Sequence, residues 1–320
     1  MTLPTDKRLK AGLKLAVTLV LLAFSLHFIR PGQLVQSLHG ARLGPLAVSA
    51  LLLLMGTFAG AASWFFILRM RLGQIRFREV LATHWAGMFF NTFLPTNVGG
   101  DVVKSCVMAR GKNATGFIVT SVILDRLLNL GLLLLIGLLA LLCTTGHRAA
   151  AGILSAAAIA AAAGTVAVSR YVWRRLRQAG HTGKGARVLR PVCELAATPK
   201  TLFPALFAAA LSQSLKIWQN AFVIHALGLS LPTLYVWFII PLFGIVSALP
   251  VSIGGLGVRE VVAQFIAGPL NLDNTDLVSL SLAGHVMVIL LNMFGLVPFL
   301  LLKRKHATHC PDAVTRGSHP

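Results

Sequence analysis

Long apolar runs separated by short polar loops dominate the chain. Six of these runs hold about 20 apolar residues, enough for an α-helix to cross the hydrocarbon core of a bilayer. They cover residues 12–29, 45–68, 115–143, 149–169, 201–227 and 277–302. The pattern predicts an all-α polytopic membrane protein with six full transmembrane helices. A single integral membrane domain would fill residues 1–320, ending in a short tail at 303–320.

Two further apolar stretches are each interrupted by a cluster of Pro and Gly. The stretch 79–109 is broken at LPTNVGGD, and the stretch 232–267 is broken at LPVSIGGLGVRE. Pro and Gly at this density end an α-helix. Non-helical backbone persists at membrane depth only where protein or a water-filled cavity surrounds it. We therefore predict two broken re-entrant hairpins in addition to the six spans.

Composition and charge placement agree with a membrane location. Hydrophobic residues make up 56% of the chain and charged residues 12%, with a mean hydropathy of +0.78, whereas a soluble domain is about 25% charged. The net charge of +20 lies mostly between the apolar runs, above all in loop 170–200, and no aromatic–basic nucleic-acid motif is present. This distribution predicts cytoplasmic N- and C-termini and argues against nucleic acid as a partner.

The two interrupted motifs align with each other at an offset of 155 residues. LPTNVGG in the first stretch falls on LPVSIGG in the second, and Lys104 falls on Arg259. The flanking order of two spans, a broken hairpin and a further span also repeats. Because the first hairpin should open from the inside and the second from the outside, we predict an inverted-topology repeat. The first repeat covers about 12–145 and the second about 149–302.

This arrangement predicts a site for an anionic group, such as a lipid phosphate, near the membrane midplane. Each second half-helix should begin just after its Gly-Gly pair, so that its free backbone N–H groups and positive dipole end face a cavity between the hairpins. Glycine there would let the backbone approach a ligand closely. The candidate substrate-binding residues are Asn97, Gly99, Gly100, Asp101, Lys104, Asp125, Arg126, Lys216, Ser252, Gly254, Gly255, Arg259 and Glu260.

Several polar residues in the apolar stretches have more than one interpretation. Asp125 and Arg126 fit charge neutralisation within the bundle as well as function, and each needs its own partner because adjacent helix positions do not face each other. Lys216 either lines the cavity or extends its amine toward the membrane surface. For His84 and His285 we favour a hydrogen-bonded packing role over proton relay. The charged residues that flank the broken backbone favour function.

The motifs also resemble a known family. LPTNVGGDVVKSCVMAR, the Asp125-Arg126 pair and LPVSIGGLGVRE are similar to the flippase-like family related to the membrane domain of lysylphosphatidylglycerol synthase. The resemblance runs from about the first span to the last, and it implies lipid translocation. Family members with a soluble aminoacyl-transferase domain make and flip lysylphosphatidylglycerol. This chain ends directly after its last span, so we do not expect synthase activity. Lys104 stands where the family pattern has Arg, which keeps the charge but loses bidentate phosphate geometry.

The sequence shows no motif for metal or nucleotide chemistry. No His/Cys/carboxylate cluster has metal-ligand spacing, no phosphate-binding G-x-x-x-x-G-K-[ST] loop occurs, and no Ser-His-Asp order is recognisable. We therefore expect a protein that is not an enzyme and carries no cofactor.

The leading hypothesis is a lipid flippase or scramblase that moves an anionic, phosphate-bearing or aminoacylated headgroup between leaflets. Its partner would be a membrane phospholipid or a polyprenyl-phosphate-type lipid. One alternative is a membrane-embedded transferase acting on a lipid-linked substrate, with Asp101 or Glu260 as base. Another is a non-catalytic lipid-binding partner of a lipid-modifying synthase. The sequence leaves a homo-oligomer open.

Overall fold

The computed structural model describes residues 40–93, 99–110, 112, 114–144, 199–248, 255–268, 270 and 272–307. All regular structure in these residues is α-helical, as the sequence predicts. In chain order the helices are α1 Leu43–Arg69, α2 Phe77–Phe93, α3 Gly99–Ala109, α4 Thr115–Thr144, α5 Pro199–Leu227, α6 Thr233–Ala248, α7 Val258–Ala267, α8 Asn274–Met293 and α9 Leu296–Ala307. The predicted spans 12–29 and 149–169, the basic loop as far as residue 198 and the tail from residue 308 lie outside the described residues.

Three helical stretches of the described residues are long and apolar enough to cross a membrane. They are Leu43–Arg69, Thr115–Cys143 and Asn274–Leu301, and each coincides with a predicted span. The last stretch runs through a turn at Phe294 and Gly295, which separates α8 from α9. Helix α5 has 29 residues, but polar side chains interrupt its apolar surface. Its crossing of the membrane, and the total number of spans, stay predictions.

Both interrupted stretches are divided into two helices near the predicted points. The first break separates α2 from α3, and the second separates α6 from α7. The helix starts differ from the prediction, since α3 begins at Gly99 itself and α7 begins only at Val258. The physical reason for the late start is that Gly255 and Gly257 have φ values of +84° and +82°, which a right-handed helix does not accommodate. The re-entrant course of the hairpins stays a prediction.

The helix order repeats along the chain. Helices α5, α6, α7 and α8 begin 156 to 159 residues after α1, α2, α3 and α4, respectively. The packing is reciprocal as well: α4 packs against α6, while its counterpart α8–α9 packs against α2. Likewise, α3 contacts α4 as α7 contacts α8, and the two equivalent helices α1 and α5 pack along each other at the centre. The short helices that follow the breaks are therefore placed in equivalent ways in the two halves.

Two apolar clusters form the interior, roughly one in each half. Buried side chains of α1 to α4, joined by the start of α5, form the first cluster, which includes Trp64, Ile67, Leu68, Met108 and Ile118. Side chains of α5 to α8 form the second, which includes Ile217, Val236, Ile239, Leu277 and Leu280. Because α5 contributes to both clusters, it connects the two halves.

Small residues allow α1 and α5 to approach each other closely. Gly56 and Gly60 lie one turn apart on α1 and face Ser212 of α5, whose hydroxyl donates to the carbonyl oxygen of Gly56 at 2.7 Å. A Cβ atom at Gly60 would lie 3.2 Å from the Ser212 Oγ. The Gly-x-x-x-Gly spacing thus has the packing role that is common in membrane helices.

Candidate functional site

The first Gly-Gly motif carries a buried ion pair. The Lys104 ammonium lies 3.1 Å from Oδ2 of Asp125 on α4, and the two residues are only 4% and 7% exposed. The same ammonium lies over the ring of Trp64, 4.0 Å from its centroid, and Ser63 donates to the Asp125 Oδ1 at 3.3 Å. Lys104 is therefore held by a carboxylate and an aromatic face inside the protein.

A second ion pair joins the same two helices. Arg126 donates through NH1 to Oδ2 of Asp101 at 2.6 Å. The other Asp101 oxygen accepts from the Asn91 side-chain Nδ2 at 3.5 Å. The side-chain oxygen of Asn91, Oδ1, accepts from the Gly100 N–H at 2.8 Å. The neighbouring Asp125 and Arg126 thus do not pair with each other, and each has its own partner, as expected for adjacent helix positions.

Hydrogen bonds extend this network to the central helix α5. Asn129 donates to the Asp125 carbonyl oxygen at 2.7 Å and accepts from Gln213 of α5 at 2.6 Å. The sequence analysis did not select Asn129 or Gln213, nor the Asn91 and Trp64 side chains described above. Polar residues within apolar helices were the available signal, because such residues are expensive in a membrane unless they are bonded.

The second Gly-Gly motif is arranged differently. Arg259 donates through Nε to the Ser247 hydroxyl, and its NH1 lies 3.2 Å from Nδ1 of His285. No carboxylate among the described residues forms an ion pair with Arg259. The guanidinium of Arg259, unlike the ammonium of Lys104, is held by uncharged partners.

Glu260 has the geometry of a helix cap. Its Oε2 accepts from the Gly257 N–H at 2.7 Å, and its Oε1 accepts from the Ser281 hydroxyl at 2.8 Å. The side chain is fully buried, and both oxygens have donors. Its capping of α7 accounts for a buried carboxylate at this position without a ligand.

Glycines of both motifs lie in tight helix contacts. A Cβ atom at Gly100 would overlap the carbonyl oxygen of Gly87 on α2 and lie 2.6 Å from the Asn91 side chain. A Cβ atom at Gly255 would lie 2.6 Å from the Ser247 Oγ. The sequence analysis attributed glycine here to close approach of a ligand. In the structure, packing of the chain on itself already requires glycine at positions 100 and 255.

Lys216 and His84 form a further polar pair at the centre of the molecule. Lys216 is partly buried on α5 and makes no ion pair, and its ammonium has no hydrogen bond, with the residues that the structure describes. The Nδ1 atom of His84 on α2 is buried and likewise has no hydrogen-bond partner there. The two side chains are close enough to interact electrostatically.

Three candidate residues, Asn97, Ser252 and Gly254, lie outside the described residues, and Gly99 is the first residue of α3. In the part of the chain that is described, no group of three or more His, Cys, Asp or Glu side chains is placed to hold a metal ion. The described site consequently rests on cations, their partners and the two helix starts.

The comparison with protein families decides the identity of the chain. Residues 12–295 match the family model described as the lysylphosphatidylglycerol synthase TM region. The chain belongs to this family. No curated protein matches the chain. Together with the three long apolar helices, the family makes this a multi-pass membrane protein, and it confirms the resemblance seen in the two Gly-Gly motifs.

Proposed function

We propose that this member of the lysylphosphatidylglycerol synthase TM family is a lipid flippase or scramblase without enzymatic activity of its own. It would move a charged headgroup between leaflets through a cavity between the two Gly-Gly motifs, while the acyl chains remain in lipid. The membrane would be a bacterial-type cytoplasmic membrane, with both termini on the cytoplasmic side. The observation that carries the proposal is that each of the two short helices after the breaks carries one embedded cation, Lys104 on α3 and Arg259 on α7.

The repeated helix order supports two structural repeats of inverted topology, an architecture common among secondary transporters. Reciprocal packing of the halves is expected when such repeats meet around a central pair of helices, as α1 and α5 do here. The inversion can be tested with single cysteines at two exposed loop positions, Gln74 and Ser230, which lie in equivalent loops of the two halves. An impermeant thiol reagent should label position 230 from outside and position 74 only from inside. Labelling of both from one side would contradict the inversion.

Arg259 is the better residue for testing transport. Lys104 is held by Asp125, so its removal would leave a buried carboxylate unpaired, whereas the partners of Arg259 are uncharged. A hydrogen bond to a charged group contributes about 1.5–3 kcal/mol, which corresponds to roughly a tenfold to hundredfold change in rate or affinity. We expect Arg259→Gln to slow headgroup passage by about tenfold or more.

The assay is translocation of labelled lipid in proteoliposomes. Fluorescent phosphatidylglycerol and lysylphosphatidylglycerol would be reconstituted separately, and outer-leaflet label would be quenched chemically. The wild-type chain should accelerate movement over protein-free vesicles, and Arg259→Gln should abolish most of that gain. Lys112→Gln is the matched control because Lys112 pairs with Glu79, away from both breaks. Wild-type rates equal to those of protein-free vesicles would contradict the proposal.

The same vesicles distinguish lipid translocation from the two alternative functions, a lipid-linked transferase and a non-catalytic lipid-binding partner. A transferase would yield a chemically altered lipid, which mass spectrometry of the extracted lipids would detect. Asp101 accepts from Arg126 and Glu260 accepts from Ser281, and these bonds give both carboxylates a structural role that supports the transport proposal over the transferase. A non-catalytic lipid-binding partner would show neither product nor translocation and would co-purify with a synthase. Association of the chain with itself belongs to the proposal as well, and light scattering of the purified protein measures it.

A further inference from the structure

The embedded charges of the described helices do not balance. Apart from the charges next to the inter-helix loops, the two Gly-Gly motifs and the apolar helices carry four cations, Lys104, Arg126, Lys216 and Arg259, and three carboxylates, Asp101, Asp125 and Glu260. Two cations and two carboxylates form the ion pairs of the first motif. The third carboxylate already caps α7. One positive charge is therefore left in excess, and an isolated embedded charge is costly.

Lys216 is the cation with the fewest partners. The carboxylate of Asp125 attracts it, but both oxygens of that carboxylate already accept from other groups, Lys104 and Ser63. Arg259 at least has two neutral partners. A lysine that retains its charge without a protein partner leaves its hydrogen-bonding capacity of three donors available to a ligand.

His84 lies beside Lys216, over the glycines of α1. The Lys216 Cγ is 3.5 Å from the place that a Cβ of Gly56 would occupy, and the His84 Nε2 is 3.4 Å from the corresponding place at Gly60. These glycines are four residues apart, or about 6 Å along the helix. Since the lysine side chain continues for three more atoms beyond Cγ, its ammonium can reach the neighbourhood of the histidine ring.

The unpartnered Nδ1 of His84 adds a second, independent indication of a ligand. Buried ring nitrogens are normally hydrogen-bonded, and the Nδ1 of a neutral histidine can be the donor. We call the Lys216 ammonium and this nitrogen the Lys216–His84 site; the Lys216 Cγ and the His84 Nε2 hold the two side chains against the glycine face of α1. An unpaired cation beside a buried hydrogen-bond donor suits the oxygen of an anion.

We propose that the Lys216–His84 site binds a phosphate oxygen of a net-anionic lipid headgroup, and that it selects such a lipid over an aminoacylated one. The inference rests on the proposed function for the presence of a lipid headgroup at this depth. A phosphodiester with no counter-charge neutralises the excess cation. A lysylated headgroup brings its own ammonium groups, which Lys216 repels.

Lipid binding is the readout that tests the site separately from transport. Purified protein in detergent would be offered phosphatidylglycerol, lysylphosphatidylglycerol or zwitterionic phosphatidylcholine, and retained lipid would be measured by native mass spectrometry. We expect wild-type protein to retain phosphatidylglycerol best. Lys216→Gln should weaken that retention roughly tenfold to hundredfold, while Lys216→Arg, which keeps the charge, and the control Lys112→Gln should stay within about threefold.

One further variant, a melting measurement and a competitor sharpen the test. His84→Leu should weaken phosphatidylglycerol retention by a smaller factor than Lys216→Gln, since it removes one neutral donor. Removing an unpaired cation should not lower the melting temperature, so Lys216→Gln should unfold at or above the wild-type temperature. If inorganic phosphate binds with the same Lys216 dependence and phosphatidylglycerol does not, the ligand is the free ion and the lipid assignment is wrong.

The outcomes separate this inference from the proposed function. Equal phosphatidylglycerol retention by wild type and Lys216→Gln, or better retention of lysylphosphatidylglycerol by wild type, would overturn the site even if lipid translocation is observed. Charge-dependent retention without any translocation would leave the site standing and overturn the flippase proposal.

Discussion

Removal of the Lys104 charge should destabilise the protein strongly, unless Asp125 is neutralised together with it. The two charges lie 3.1 Å apart and are almost completely buried. Breaking a buried pair by removing one partner costs about 3–5 kcal/mol, because the remaining charge is left uncompensated. We expect a cost of that size for Lys104→Met, and a similar one for Asp125→Leu, which also takes an acceptor from Ser63.

The double variant Lys104→Met/Asp125→Leu should recover most of this loss. Replacing a buried ion pair with apolar residues of similar volume is often neutral or stabilising, so we expect the double variant within about 2 kcal/mol of wild type. The coupling energy of the cycle would then be about 4 kcal/mol or more, well above the value for distant sites.

The measurement is equilibrium unfolding in mixed micelles of a mild detergent and dodecyl sulfate, followed by circular dichroism. Lys112→Met is the control, because the Lys112–Glu79 pair is partly exposed, with side-chain exposures of 26% and 38%, and such pairs contribute about 1 kcal/mol or less. Either of two results would refute the mutual charge compensation of Lys104 and Asp125. In one, Lys104→Met costs no more stability than Lys112→Met; in the other, the costs of the two single variants simply add in the double variant.

Three further predictions concern the Gly-Gly motifs, and thermal unfolding in detergent measures each. Gly100→Ala should destabilise the protein by about 1–3 kcal/mol, since its Cβ would overlap a backbone carbonyl oxygen of α2. The control Gly116→Ala on α4 places its Cβ in open space and should be neutral or stabilising. Equal effects of the two substitutions would contradict the close contact of Gly100 with α2. Gly255→Ala should cost about 1–2 kcal/mol from its positive φ alone, and a wild-type melting temperature would show that the turn relaxes freely. Glu260→Leu should cost about 1–3 kcal/mol because the Gly257 N–H and the Ser281 hydroxyl both lose their acceptor, more than Ser281→Ala, which removes only one bond.

The sequence predicts the helices better than it predicts their partners. Apolar length identifies the spans that the structure describes, and the Pro–Gly clusters locate both breaks, because these signals are local to the backbone. The start of α7 was placed too early, since LPVSIGGLG does not reveal which glycines adopt positive φ. The ion pair of Lys104 and the lack of one at Lys216 depend on the rotation of whole helices about their axes. That rotation is fixed by contacts such as those of Gly56, between residues more than 150 positions apart.

The aligned halves differ in how they hold the cation that follows Gly-Gly, and this difference has a measurable consequence. At the offset of 155, Leu280 stands where the first half has Asp125, so Arg259 is left with His285 and a serine hydroxyl instead of a carboxylate. An ion pair already satisfies Lys104, and an anionic ligand adds little to it; the same ligand would supply Arg259 with the charge that it lacks. Phosphatidylglycerol should therefore slow amide hydrogen exchange in α7 more than in α3, and phosphatidylcholine should slow neither. Equal protection of the two helices would show that the ion pair of Lys104 with Asp125 does not make the two halves respond differently to an anionic lipid.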